Sequence, residues 1–293
     1  MTTDTRLTLP PERIGHPAAA DLVERRGGLA AAAAAGLWRT DPPPITETIA
    51  GVRTLRFEPP GPSRGVVLHF HGGAFRLGAP EVVAKFAAAL AERCQVTVLA
   101  AAYRLAPENP FPAGIADGRA VLRALQAQGA GPLILSGDSA GGGVAASVTA
   151  LAVAEGAPPA GLVLLSPWLD LTVSSPCYET NAATDPLFSR DSAEQAAELY
   201  LQGMSPNDPL ASPLLGPVNG FPPTFVSIGE GEVLADDGRG FHTALLAAGV
   251  KTSLSAIPGM EHVAVTRGFE LTGATQTFDE VATFIDGVTG RRA

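Results

Sequence analysis

Short β-rich runs, several of them continuously apolar, recur along this chain, and longer stretches of helical character separate many of them. The runs read as strands: GVRTLRF (51–57), GVVLHF (65–70), QVTVLA (95–100), PLILS (132–136), GLVLL (161–165), TFVSI (224–228) and TSLSAI (252–257). Between them, EVVAKFAAALAERC (81–94), GIADGRAVLRALQAQG (114–129) and DDGRGFHTALLAAGV (236–250) read as helices. Continuous apolar strands are those buried on both faces. The alternation therefore predicts an α/β fold, a mostly parallel central sheet with helices on both faces. The rhythm breaks once, over residues 171–222, where a helical patch, SRDSAEQAAELYLQG (189–203), lies between proline-rich loops. Such a detour between two strands reads as an insertion over one end of the sheet.

Composition limits the partners. Of 293 residues, 46% are hydrophobic and 17% charged, enough apolar matter for a large core and too little charge for disorder. A net charge of −9 argues against nucleic acid and anionic membrane surfaces, which need basic patches. Lys85 and Lys251 are the only lysines, and Cys94 and Cys177 the only cysteines, so neither a polybasic cluster nor a disulfide framework is expected. The opening MTTDTRLTLPPERIGHPAAA has no basic head before an apolar core, and GGLAAAAAAGLW (27–38) is too short to span a bilayer and reads as helix. The expectation is a soluble, cytoplasmic protein without membrane insertion. No signal for an oligomeric state is present.

The chemistry centres on SGDSAGGG (136–143), which lies between a strand run and the small-residue run VAASVTAL. GDSAG fits G-x-S-x-G in the strand–turn–helix setting a nucleophile elbow needs, where flanking glycines relieve the crowding around an exposed serine. A glycine-rich bend without chemistry is the plain alternative. Phosphate binding is weaker, since neither G-K-[ST] nor G-x-G-x-x-G is present. HFHGGAF (69–75) follows an earlier strand and offers backbone N–H groups of Gly72 and Gly73, which with that of Ala140 could bind an oxyanion. Only His242 and His262 follow Ser139, and His262, in the turn PGMEH after the last strand, is the better base because His242 falls within a helix. The acid should follow TFVSI, in GEGEVLADDG. Asp236 and Asp237 fit helix capping and dipole complementation, which leaves Glu230 or Glu232.

The ordered motifs HGGAF, YRLAPENPFPA (103–113), GDSAGG, SPWLDL (166–171), DPLASPL (208–214) and GEGEVLADD…PGMEH resemble those of the bacterial hormone-sensitive-lipase-like esterases of the α/β-hydrolase fold. The resemblance runs from about residue 50 to the end. It implies Ser139 as nucleophile, His262 as general base and acid, and Gly72, Gly73 and Ala140 as oxyanion donors. It places the acid at Glu232, heading Glu232-Val233-Leu234 where the family has D-P-L. Glutamate thus replaces the commoner aspartate, and Ala74 replaces the fourth glycine of H-G-G-G. Tyr103, Arg104, Glu108 and Asp117 read as a structural hydrogen-bond network, His71 as orienting the oxyanion loop, and His69 as a packed strand residue.

The expected layout is an N-terminal helical segment (1–50) contributing to a cap, a catalytic core (51–170 and 223–293) and a cap insertion (171–222). Phe75, Trp168, Leu187 and Phe188 are the expected pocket-lining residues. The function implied is hydrolysis of short to medium acyl esters, with no cofactor and no metal. Lactone hydrolysis and a dedicated biosynthetic deacetylation are the nearest alternatives, and a non-catalytic ligand-binding protein on the same fold is a distant one.

Overall fold

In the computed structural model, which describes residues 7–290, eight strands form one sheet. The start of the expected N-terminal segment, on which the reading of the leader partly rests, lies outside the described residues. The strands are β1 (Ile45–Ile49), β2 (Val52–Phe57), β3 (Val66–Phe70), β4 (Thr97–Ala101), β5 (Leu133–Asp138), β6 (Gly161–Leu165), β7 (Thr224–Gly229) and β8 (Thr252–Ile257). Their order is β1-β2-β4-β3-β5-β6-β7-β8. The β1–β2 and β2–β4 pairs are antiparallel, and every later pair is parallel.

Alternate residues of the parallel strands enter two separate cores. Leu68, Phe70, Leu135, Leu164 and Ile228 face α3 (Ala113–Ala127), α4 (Ala140–Ala154) and α7 (Ala235–Ala247). Val67, Ile134, Val163 and Phe225 face α2 (Ala84–Cys94) and α9 (Ala274–Val288). Burial on both faces explains why these strands are apolar along most of their length. β1 is one of the two edge strands and is mostly exposed, with Glu47 paired across to Arg56 at 2.7 Å. Its sequence, ITETI, lacks the apolar run of its neighbours, so the sheet begins at Ile45, inside the stretch expected to be helical.

The remaining helices are α1 (Ala20–Ala34), α5 (Cys177–Thr180), α6 (Arg190–Leu201) and α8 (Ala264–Arg267). Within 171–222, α6 packs Tyr200 flat on Phe75, with ring centroids 4.0 Å apart, and edge-on to Phe111. Arg13 donates to the carbonyls of Leu201 and Gln202, which ties the N-terminal segment to the end of α6. No helix among the described residues is long and apolar enough to cross a membrane.

The chain leaves β3 toward β4 on one side and later returns to β5 on the other. Such a reversal opens a crevice at the carboxyl ends of the strands. The loops after β3, β5, β6, β7 and β8 all end there, and they carry the site.

Candidate active site

Ser139 occupies the turn from β5 into α4, with φ 53° and ψ −124°, a backbone few non-glycine residues adopt. The turn closes because its flanking residues lack side chains. A Cβ on Gly137 would overlap the carbonyl of Gly141, and one on Gly141 would overlap the carbonyl of Phe70. Ser139 Oγ donates to His262 Nε2 at 2.9 Å, and His262 Nδ1 donates to Glu232 Oε2 at 2.8 Å. Three loops distant in sequence thus join in one hydrogen-bonded chain.

Glu232 is only 1% exposed. Its second oxygen, Oε1, accepts from Ser166 Oγ at 2.7 Å and from the Gly229 N–H at 2.5 Å. Ser166 in turn accepts from the Val263 N–H at 3.1 Å, so one hydroxyl fastens the acid's turn to the histidine's. Burial alone would lower the His262 pKa. The hydrogen bond and charge of Glu232, with the more distant Asp185 and Asp138, outweigh it and raise the ring above its ordinary 6.5.

The other candidates lie elsewhere. Glu230 is exposed, 3.6 Å from Arg239. His242 contacts Thr252 Oγ1 at 3.1 Å on the flank of α7. Asp236 and Asp237 stand in the first turn of α7 but cap nothing there. Asp236 accepts from Ser175 Oγ at 2.9 Å, and Asp237 accepts from the N–H groups of Leu169 and Asp170 at 2.7 and 2.9 Å. Both carboxylates fasten the 169–177 segment to α7, where the sequence suggested capping.

The loop after β3 runs past Ser139. Tyr103 donates its hydroxyl to the His71 carbonyl at 2.8 Å and stacks on the His71 ring, centroids 4.6 Å apart. Burial pushes His71 below its ordinary pKa, and its neutral ring donates from Nδ1 to the Gly72 carbonyl at 2.8 Å. The N–H groups of Gly72, Gly73 and Ala140 have no acceptor among the described residues. Ala140 opens α4, where helical N–H groups lack intrahelical partners. His69 is fully buried, with Nε2 2.9 Å from Asp138 Oδ1 and Nδ1 3.0 Å from Ser136 Oγ. Arg104 grips Asp117, and Glu108 pairs with Arg26.

Ser139, His262, Gly72 and Gly73 open onto a cleft of about 420 Å³. Leu187 and Phe188 line it, and so do Leu29, Trp38, Leu77 and Val82. Phe75 and Trp168 do not. Trp168 is fully buried, donates Nε1 to the Asp170 carbonyl at 3.1 Å, and packs between Phe75 and Phe188. The two aromatics back the wall, while Phe188 lies parallel to the His262 ring, 6.1 Å between centroids. Two residues here were not anticipated. Ser166 heads SPWLDL and takes φ 45° directly after β6. Asp185 accepts from the N–H groups of Val233, Leu187 and Phe188, joining the acid's turn to the cleft wall. No cluster among the described residues could hold a metal ion.

Comparison with known proteins agrees with this architecture. Residues 67–266 match a family described by its alpha/beta hydrolase fold. An acetyl-hydrolase of Streptomyces hygroscopicus is 38% identical over 225 residues, 75% of this chain and 75% of that protein. The crystal structure of EstE5 soaked with p-nitrophenyl butyrate superposes with a TM-score of 0.86 at 31% identity, covering 97% of this chain and 95% of that one. An esterase from the bacterial hormone-sensitive lipase family gives 0.83 at 32%, covering 94% and 100%. With this sheet, this elbow and these relatives, the chain belongs to the α/β-hydrolase fold family and is an enzyme of its bacterial hormone-sensitive-lipase-like esterase group.

Proposed function

We propose that the chain is a serine carboxylester hydrolase in which Ser139, His262 and Glu232 act as the triad. The unbroken chain from Ser139 Oγ through His262 to Glu232, opening on an apolar-walled cleft, carries this reading. Ser139 Oγ attacks the ester carbonyl as His262 Nε2 takes its proton, and Glu232 holds the imidazole by Nδ1–H and stabilises its charged form. The carbonyl oxygen becomes an oxyanion facing the N–H groups of Gly72, Gly73 and Ala140. Collapse breaks the ester C–O bond, and His262 returns the proton to the leaving alcohol. Water then attacks the acyl-serine with His262 as base, releasing the acid and restoring Ser139.

Residues 171–222 and the N-terminal segment act as a cap over this site. Supporting this, Leu187 and Phe188 from the one and Leu29 and Trp38 from the other line the cleft. A short to medium acyl group fits the cleft volume, and the relatives' names, an acetyl-hydrolase and an esterase soaked with a butyrate ester, point the same way. The two free cysteines suit a cytoplasmic setting.

Ser139→Ala should lower kcat on p-nitrophenyl acetate by about 10⁴ to 10⁶, because triad members act as a unit. The folded variant should also stop reacting with a fluorophosphonate probe. Labelling that persists, or activity within about tenfold of wild type, would assign the nucleophile elsewhere.

A further inference from the structure

Charge is unevenly spread over the cleft. The chain's net charge is −9, yet Arg25, Arg76 and Arg267 line the cavity that holds Ser139, against one carboxylate, Asp138. Asp138 is engaged by His69 at 2.9 Å, and Arg267 by Glu261 at 2.8 Å. Arg25 and Arg76 have no such partner. Most other described arginines rest on carboxylates, as Arg26 does on Glu108, Arg53 on Glu81, Arg64 on Asp286 and Arg104 on Asp117. Among the described residues no carboxylate comes within 4.0 Å of either Arg25 or Arg76. Asp21 and Glu198 border an adjoining hollow with both arginines but stay beyond that distance.

Arg76 is the more confined. Its Nε–H is buried with no hydrogen-bond partner, and its only side-chain bond is a long one, 3.4 Å, to Ser192 Oγ. Burial lowers its pKa from the ordinary value, and the charge of Arg25 beside it lowers it further. A half-buried guanidinium with an unsatisfied donor and a like charge next to it, only partly offset by the more distant Asp21, is unfavourable when the cleft is empty. An anion in the cleft would relieve all three.

We propose that the cleft is built for esters that also carry a carboxylate, with Arg76 and Arg25 holding that carboxylate while Ser139 attacks the ester carbonyl. The proposal rests on the esterase reading above. A guanidinium presents a planar fork of N–H donors that matches a carboxylate's two oxygens. Much of the rest of the wall, including Leu29, Trp38, Leu77 and Phe188, is apolar, so one charge on a short hydrocarbon frame suits both parts. The reaction is unchanged: water is consumed, the ester C–O bond breaks, and an acid and an alcohol leave. The carboxylate can belong to the acyl half, as in a half-ester of a dicarboxylic acid, or to the alcohol half, as in an O-acetyl hydroxy acid.

Two matched pairs test this, each rate normalised to hydroxide-catalysed hydrolysis. Mono-p-nitrophenyl glutarate against p-nitrophenyl valerate charges the acyl half, and 4-acetoxybenzoate against 4-acetoxybenzamide charges the alcohol half. In one pair the charged ester should exceed its neutral partner in kcat/KM by about tenfold at low salt, the scale of one charge-assisted hydrogen bond. That ratio should shrink as ionic strength rises. It should fall toward one in Arg76→Gln and below one in Arg25→Glu, a change on the exposed side of a helix that folding should tolerate. The pair showing the preference locates the charge. Neutral esters hydrolysed as well as charged ones in both pairs would overturn the proposal and leave the esterase standing. A preference unchanged in both variants would remove these arginines from it. Failure to hydrolyse any of the four would overturn both readings.

Discussion

Glu232 uses both carboxylate oxygens, and that fixes the histidine. Oε2 receives the His262 Nδ1–H, while Oε1 is pinned by Ser166 and the Gly229 N–H, so the carboxylate cannot rotate away and Nε2 faces Ser139. Glu232→Gln keeps the size but sets an NH2 group against one of these donors, whichever way the amide turns. The comparable amide substitution in a chymotrypsin-type protease costs about 10⁴ in kcat. A loss of about 10² to 10⁴ is therefore expected, with KM little changed. Glu230→Gln should stay close to wild type, since Glu230 is exposed beside Arg239. A second readout separates catalysis from packing. His262 must be neutral to act as base, and Glu232 raises its pKa, so kcat/KM in wild type should climb with pH through an ionisation above 6.5. In Glu232→Gln the residual limb should move to lower pH. Turnover abolished in Glu230→Gln but not in Glu232→Gln, or a limb that stays put, would place the acid elsewhere. The sequence carries Ser139, His262 and Glu232 because motif spacing and chain order narrow each to one or two positions. It does not carry the bonds of Ser166 to Glu232 and of Asp185 to the Val233 N–H, which arise only where loops more than 40 residues apart meet.

The elements that the sequence reveals are those buried on one plan. The strands β3 to β7 announce themselves as largely apolar runs because both of their faces are covered. β1 escapes because it lies at the edge, half in solvent, and holds its place by backbone pairing and the Glu47–Arg56 ion pair. α4 shows no helical periodicity because nearly its whole length is buried, so no polar face exists to be seen. Phe75 and Trp168 show the opposite failure. Their motif positions next to the site suggested lining, but φ 60° at Phe75 turns the loop so that its ring stacks on Tyr200. The loop after β3 depends on a neighbouring element in the same way, through the Tyr103 hydroxyl on the His71 carbonyl. Tyr103→Phe removes that donor and leaves a buried acceptor unsatisfied, a cost of about 1 to 3 kcal/mol. Thermal unfolding should register the loss. With the oxyanion role proposed for the loop's N–H groups, kinetics should show a fall in kcat larger than any rise in KM, because such a contact forms only in the transition state. A variant with lowered stability and wild-type kcat would detach Tyr103 from the oxyanion loop's function.

Across the whole molecule, the segment leaving β6, which leads into residues 171–222, is fastened to α7 by carboxylates. Asp237 does this from a fully buried position, with Oδ2 on two backbone N–H groups and Oδ1 without a partner. Burial pushes its pKa from 3.8 up to about 8, against the lowering effect of those two hydrogen bonds. Folded protein therefore holds a proton there, between about pH 4 and 8, that unfolded chain has released. Stability then falls as pH rises across this window, since the native state binds the extra proton. Asp237→Asn keeps an oxygen for the Leu169 and Asp170 N–H groups and cannot ionise. Its amide adds a fixed packing cost, but the difference from wild type should move in the variant's favour from pH 5 to pH 9. A shift on the order of 1 kcal/mol or more is expected, about 2–4 °C in Tm for each 1 kcal/mol in a chain of this size. Carboxylates with depressed pKa values elsewhere, such as Glu81 and Glu108, change stability in the opposite direction, but they are common to both proteins and cancel in the difference. A Tm difference that is flat from pH 5 to 9 would mean that Asp237 is ionised in the folded protein. The two backbone donors would then outweigh burial, and the segment's anchor would be a charge.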